Sequence, residues 1–183
     1  MLYIIVVILV LGILIAVLYN GLIKSRNRVK NAWSQIDVQL QRRFDLIPNL
    51  VETVKGYMSH EENTLSKIAE LRGSWGSAKS VSEKAELDSQ LSGAIKSIMA
   101  VVENYPDLKA NKNFLQLQEE LNNTEDKISY ARQFYNDTVT MYNTKLEVVP
   151  NNFIASIFKF EKEELFKVDT EDARKNVKVD FNN

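Results

Sequence analysis

The sequence has no cysteine, only three prolines and six glycines, and a single histidine among its 183 residues. The absence of cysteine excludes disulfides, thiol nucleophiles and cysteine-ligated zinc. Few prolines and glycines favour long helices over a fold built from strands and turns. The net charge of -1 provides no overall positive field. We therefore expect no nucleic-acid partner, because duplex binding relies on such a field.

The first long feature of the chain is an apolar run, residues 2–23, that contains no charged side chain. As a helix it would measure about 33 Å, enough to cross a hydrocarbon core of about 30 Å. A cleaved signal peptide would have basic residues before a shorter run. A buried core helix is rarely apolar on all faces in a small domain. The run therefore predicts a transmembrane anchor over residues 1–23.

Four basic residues follow the anchor directly and form what we call the basic collar: Lys24, Arg26, Arg28 and Lys30. Positive charge stays on the cytoplasmic side of a membrane, and no Lys or Arg precedes the run. We therefore expect a single-pass protein with its N-terminus outside and residues 24–183 in the cytoplasm. The same charges would attract anionic lipid head groups.

An amphipathic helix is predicted to continue from the anchor, because apolar residues recur at steps of three or four. They are Val29, Trp33, Ile36, Leu40, Phe44, Ile47, Val51, Val54 and Met58. Pro48 lies inside this stripe, so the helix is expected to kink there or to restart with Asp45 as its cap. A second start signal, a capping box, begins at Ser59. Residues 73–77 are typical of a loop.

Two further helices are predicted at 81–104 and 111–148, and a short apolar helix follows Pro150. The stripe of the 111–148 helix is Phe114, Leu117, Leu121, Thr124, Ile128, Ala131, Tyr135, Thr138 and Tyr142. The fold class is therefore all-α: one N-terminal transmembrane helix followed by an antiparallel up-and-down helical bundle of three to four long helices. The bundle is expected to span 24–167. A polar tail, 168–183, follows, in which Val177, Val179 and Phe181 alternate.

The candidate partner-binding surface combines the polar residues around Pro48 with a loop predicted at 105–112. Its members are Arg42, Arg43, Asp45, Asn49, Glu52, Tyr105 and Asp107. One interpretation is a hinge that binds a partner. The alternative is a set of salt bridges that steady the helix, each worth a few tenths of a kcal/mol.

Signals for catalysis are weak. His60 with Glu61, Glu62 or Glu52 resembles half of a metal site, but no H-E-x-x-H pattern is present. Neither a G-x-S-x-G motif nor a phosphate-binding loop occurs. Four tyrosines would suit either an aromatic ligand site or a core, and their helical spacing favours the core: Tyr105, Tyr130, Tyr135 and Tyr142. We expect no catalytic residue, no metal site and no cofactor.

The chain resembles the LemA family of bacterial membrane proteins. The matching stretches are RNRVKNAWSQIDVQLQRRFDLIPNLVETVKGY at 26–57, YPDLKANKNFLQLQEEL at 105–121 and TEDKISYARQFYND at 124–137. A departure occurs at Lys159, where the family usually has glycine between two phenylalanines. The resemblance implies a single N-terminal span, a cytoplasmic helical bundle and location in the bacterial cell membrane. It implies no catalytic residue.

The resemblance also suggests partners. One branch of the family is associated with magnetosome membrane formation, and other members occur beside membrane metallopeptidases. Our first hypothesis is a non-enzymatic protein-interaction scaffold or adaptor at the inner face of the membrane. The alternatives are a membrane-shaping protein that self-associates, an accessory component of a membrane metallopeptidase system, and a metal-dependent hydrolase that uses His60.

Overall fold

A computed structural model of the chain describes residues 1–58 and 62–167. These residues form six α-helices: α1 (Leu2–Lys55), α2 (Glu62–Trp75), α3 (Val81–Val102), α4 (Pro106–Lys109), α5 (Lys112–Glu147) and α6 (Asn151–Ile157). No strand occurs in the described part of the chain. Four of the helices exceed ten residues, which confirms the all-α prediction of an anchor followed by three to four long helices.

Helix α1 unites the predicted anchor and the first amphipathic helix in one element of 54 residues. At 1.5 Å per residue it is about 80 Å long. Its first sixteen residues, 2–17, are exposed on all faces, as suits a segment surrounded by lipid. Pro48 lies inside the helix, which continues to Lys55. The predicted restart with Asp45 as cap is therefore wrong, and Asp45 instead accepts a hydrogen bond from Gln41.

The chain divides into two compact units, and unit 1 comprises Met1–Leu46 and Gln116–Phe166. Helices α1 and α5 run antiparallel within it, since Gly21 lies beside Lys145 while Arg42 lies beside Glu120. Its core is formed by Leu22, Val29, Ala32, Ile36, Leu40, Phe44, Leu117, Leu121, Ile128, Tyr135, Val139 and Tyr142. The predicted stripes supply most of this core. Ala131 and Thr138 are only half-buried, and Val139 takes the inner position instead.

Helix α6 turns the chain back after α5, and an extended segment follows that we call the strap, residues 160–166. The turn between them places Lys159 at a φ of 53°. This left-handed conformation is costly for a residue with a Cβ atom and easy for glycine. The geometry thus gives a physical reason for the glycine that LemA sequences usually have at this position.

The described residues of Ile47–Leu115, together with Lys167, form unit 2. Within it α2 and α3 pack together, joined by residues 76–80. Ser80 caps α3 in a capping box with Glu83. Hydrogen bonds from the Ser80 and Lys79 backbone amides lower the pKa of Glu83.

Three boundaries in unit 2 differ from the prediction. Helix α2 continues through Gly73 to Trp75, because the buried Trp75 ring closes its last turn against the unit. Helix α3 ends at Val102 rather than 104. The predicted loop at 105–112 contains the short helix α4, which starts at Pro106, where a missing N–H costs nothing. The start signal at Ser59 and the apolar tail residues lie outside the described residues.

Candidate functional site

The two arginines of the candidate surface bind acidic residues of α5 within unit 1. Arg42 forms an ion pair of 2.6 Å with Glu120, and Arg43 one of 2.5 Å with Glu125. Arg42 is exposed, whereas only 4% of the Arg43 side chain is accessible. These contacts join α1 to α5 and are not the intrahelical pairs that the spacing suggested. The hydrocarbon stem of Arg43 therefore belongs to the core and its charge to the helix interface.

Asp45 lies beside a shallow depression on the same face of unit 1. The depression has a volume of about 420 Å³ and is lined by Asp37, Val38, Gln41, Arg42, Asp45 and Leu46. Asp45 and Gln41 hydrogen-bond across its rim at 2.9 Å. Val38 is 60% exposed although it is an aliphatic residue in the middle of α1. Val38 also lines a larger depression.

A second depression, which we call the open groove, runs between α1 and α5. It has a volume of about 790 Å³ and is lined by Asn31, Ser34, Gln35, Val38, Gln39, Lys127, Tyr130, Ala131 and Phe134. Tyr130 is 76% exposed and Phe134 54% exposed. The expectation that Tyr130 belongs to the core is therefore wrong. Residues two positions apart on a helix do not share a face, and Ile128 occupies the buried one. Apolar side chains therefore stand on both walls of the open groove, Val38 on α1 and Tyr130 and Phe134 on α5.

The backbone of the strap is hydrogen-bonded to side chains of α5. Asn143 donates to the Glu163 carbonyl at 2.9 Å and accepts from the Glu163 amide at 3.0 Å. Asn136 makes the same two bonds with Phe166, at 3.1 and 2.8 Å. Asn136 and Asn143 are seven residues apart on a helix, a rise of about 10.5 Å. Their partners Phe166 and Glu163 are three residues apart in an extended segment, which spans about the same distance.

Two tyrosines beside these asparagines bind the strap as well. Tyr135 donates to the Glu164 carbonyl at 2.8 Å and Tyr142 to the Glu161 carbonyl at 3.0 Å. Burial raises the pKa of Tyr135 to about 12, helped by the charges of Glu163 and Glu164. Burial also raises the pKa of Tyr142. The prediction that these two tyrosines belong to the core is confirmed, whereas their hydroxyls bind the strap and do not reach the surface. The repeated Tyr-Asn pair, seven residues apart, was the missed signal for the strap.

The remaining candidate residues lie in unit 2. Asn49 and Glu52 border a depression of about 400 Å³ together with Thr53, Asn111 and Asn113. Asn111 donates to the Tyr57 hydroxyl at 3.2 Å. Its side-chain oxygen also accepts from the amides of Asn113 and Phe114, which caps α5. This arrangement is polar and shallow.

Tyr105 and Asp107 belong to the start of α4. Tyr105 precedes the first residue of that helix and is half-buried, while Asp107 is exposed in its first turn. Asp107 suits the positive end of the helix dipole. Neither residue lines the depression at Asn49, so the structure does not bring the two parts of the candidate surface in unit 2 into one site.

No group of three or more His, Asp or Glu side chains arranged for a metal ion occurs within residues 1–58 and 62–167. His60 and Glu61, which carry the metal hypothesis, lie outside that part of the chain. Glu52 is exposed beside amide side chains that are neutral.

Comparisons with known proteins support the resemblance. The model of the LemA family matches residues 32–181. Protein LemA of Metamycoplasma hominis is 30% identical over 164 residues, which cover 85% of this chain and 75% of that protein. Two magnetosome proteins, MamQ 2 of Paramagnetospirillum magneticum and MamQ of Magnetospirillum gryphiswaldense, are each 26% identical. Each of these two matches covers 81% of this chain and 64% of the magnetosome protein, so this chain spans slightly less than two thirds of their length. Because the family match extends over most of the chain, from the first wall of the open groove through the strap, the chain belongs to the LemA family.

Proposed function

We propose that this protein is a non-enzymatic scaffold or adaptor, anchored in the bacterial cell membrane by residues 1–23 and facing the cytoplasm. The observation that carries the proposal is the continuity of α1. One uninterrupted helix contains the apolar candidate span and, from Asn31 to Gln39, one wall of the open groove. A partner bound in the groove is therefore held at a fixed distance from the membrane.

The groove suits a helix of a partner protein. Two antiparallel helices form its walls, and a third helix laid between them would bury Val38, Tyr130 and Phe134, as in a helix-in-groove complex. Aromatic side chains with amide neighbours are typical of the centre of an interface, where a few residues carry most of the binding free energy. The exposed Arg42 and Asp45 at the adjoining depression would provide polar contacts at the edge.

The cytoplasmic orientation rests on the basic collar. Lys24, Arg28 and Lys30 are exposed immediately after the candidate span, and Arg26 stacks on the Phe160 ring at 5.3 Å. Positive charge on one flank of a span sets its topology. The depression at Asn49 and Glu52 and the exposed Asp107 in unit 2 remain two separate proposed contact sites.

Photo-crosslinking in intact membranes tests the scaffold proposal. A photoreactive residue at Tyr130 is compared with one at Gln133, which is exposed on the same helix but does not line the groove. We expect a discrete adduct from Tyr130 and none from Gln133. Mass spectrometry of the adduct identifies the partner, a membrane metallopeptidase being one specific outcome. Equal background labelling at both positions would contradict the proposal.

A membrane-shaping role through self-association is the second candidate. Its support is the similarity to two proteins named as magnetosome proteins, together with the exposed charges of the basic collar. Adducts at Tyr130 made only with a second copy of the chain would favour this candidate. Liposome deformation that persists after all four collar residues are neutralised would exclude the collar as its cause.

A further inference from the structure

The turn between α5 and α6 carries an apolar surface that neither the core nor the open groove uses. We call it the apolar tip, and its members are Val148, Val149, Phe153, Ile157 and Phe158. Their exposed fractions range from 45% to 71%. Five large apolar side chains exposed within eleven residues form a patch of the kind that marks an interaction site rather than ordinary surface.

The apolar tip lies beside the end of the candidate span. The Phe158 ring is 4.7 Å from the ring of Tyr19, and the Phe160 ring is 5.8 Å from it. Tyr19 is the aromatic residue at the inner boundary of the apolar run, where such rings favour the membrane–water interface. The tip is therefore level with that interface.

The direction of α5 carries the tip farther toward the bilayer. Lys145 donates to the Gly21 carbonyl at 3.1 Å and to the Ser25 hydroxyl at 3.0 Å, which fixes its level against α1. Because α5 runs antiparallel to α1, Val148 lies about 5 Å beyond Lys145 in the direction of the span. The exposed valines are thus at the level of the last turns of the apolar run of α1.

The charge distribution below the tip fits a lipid surface. Lys159 is exposed at the foot of α6, and Lys24 and Arg28 are exposed on α1 just after the span. Apolar side chains with exposed cations nearby are typical of interfacial segments, which bury apolar side chains at the acyl boundary and place cations among phosphates. The position of the apolar tip at the end of the candidate span favours lipid over a soluble protein as its binding partner.

We propose that the apolar tip inserts into the bilayer leaflet on the side of the helical units, at the boundary between acyl chains and head groups. This inference rests on the membrane anchor of the proposed function. It adds a second membrane contact to the span. Two contacts prevent unit 1 from rotating about the axis of α1, so the open groove faces one defined direction relative to the membrane plane.

Single-cysteine labelling tests the insertion, since the natural chain has no cysteine to interfere. The full chain is reconstituted in vesicles of phosphatidylcholine and phosphatidylglycerol with an environment-sensitive fluorophore at one position. Labels at Phe153→Cys and Ile157→Cys report on the tip. Met141→Cys, 73% exposed about two turns earlier on α5, is the matched control, and Ile8→Cys reports on the span.

We expect blue-shifted emission and loss of quenching by aqueous iodide at positions 153, 157 and 8, with full quenching at 141. Iodide quenching at 153 and 157 as strong as at 141, with position 8 protected, would overturn the insertion and leave the anchor intact. Quenching at position 8 would instead contradict the anchor itself. Circular dichroism of each labelled variant, with Val149→Cys as a replacement for one that misfolds, keeps the comparison valid.

Discussion

The hydrogen bonds between Asn143 and the strap permit a quantitative prediction. Asn143→Ala removes two partly buried bonds to the backbone of Glu163, at 2.9 and 3.0 Å. Each such bond contributes about 1 kcal/mol net, so the free energy that keeps the strap closed should fall by about 2 kcal/mol. Since 1.4 kcal/mol is a factor of ten, the strap should open about 30-fold more often.

Hydrogen exchange of the full chain in a lipid nanodisc measures this change directly. The Phe166 amide, which keeps its own acceptor on Asn136, should exchange about 30-fold faster in the variant, while amides of α3 should keep their protection. Asn122→Ala, on the exposed surface of α5, is the matched control and should leave Phe166 unchanged. Unaltered exchange at Phe166 in Asn143→Ala would refute the claim that the Asn143 hydrogen bonds hold the strap.

Three further predictions concern stability. Arg42→Ala should lower the free energy of unfolding by less than about 1 kcal/mol, because its ion pair is exposed. Arg43→Ala should lower it by about 2 kcal/mol or more, because a buried stem and an ion pair are lost. Equal effects of the two variants in chemical denaturation would contradict the assignment of Arg43 to the core. Lys159→Gly should raise the free energy of unfolding by about 1 kcal/mol by relieving the positive φ, and a lower denaturation midpoint would count against this. The free energy of unfolding should decrease between pH 10 and about 12. The reason is that Tyr135 loses its proton near pH 10 in the unfolded chain but keeps it in the folded chain. In Tyr135→Phe, the free energy of unfolding should change less with pH over this range.

The helices were largely predictable because their cause is local. Steps of three and four between apolar residues indicate one buried face, and residues from Val29 to Val54 and from Phe114 to Tyr142 mostly occupy it. The predicted restart at Pro48 does not occur. A proline removes one hydrogen bond, but packing of Phe44, Ile47 and Leu50 on one face continues through it and keeps α1 a single element.

The candidate site was less predictable, because it depends on which residues of distant segments meet. Spacing alone placed Arg42 and Arg43 in intrahelical pairs, whereas their partners are 78 and 82 positions away on α5. The open groove could not be predicted from the sequence of α1 or of α5 alone. Only antiparallel pairing of α1 and α5 places Val38 beside Tyr130 and Phe134.

The strap is another feature of tertiary structure. Residues 160–166 have neither a helical nor an alternating apolar pattern, so nothing local predicts an extended, hydrogen-bonded segment. Its determinants lie on α5 as the pairs Tyr135-Asn136 and Tyr142-Asn143. In contrast, the departure from glycine at Lys159 was visible in the sequence, and the φ of 53° supplies its physical meaning.

The central claim is that the open groove binds a partner helix beside the membrane. Its most direct test measures the yield of the photo-crosslinked adduct from Tyr130 after a substitution on the opposite wall of the groove. Val38→Asp places a charge on α1 at the centre of the groove without touching the core, since Val38 is 60% exposed. The account predicts that the partner adduct from Tyr130 disappears while the variant remains folded in the membrane. An adduct of undiminished yield in Val38→Asp would contradict it.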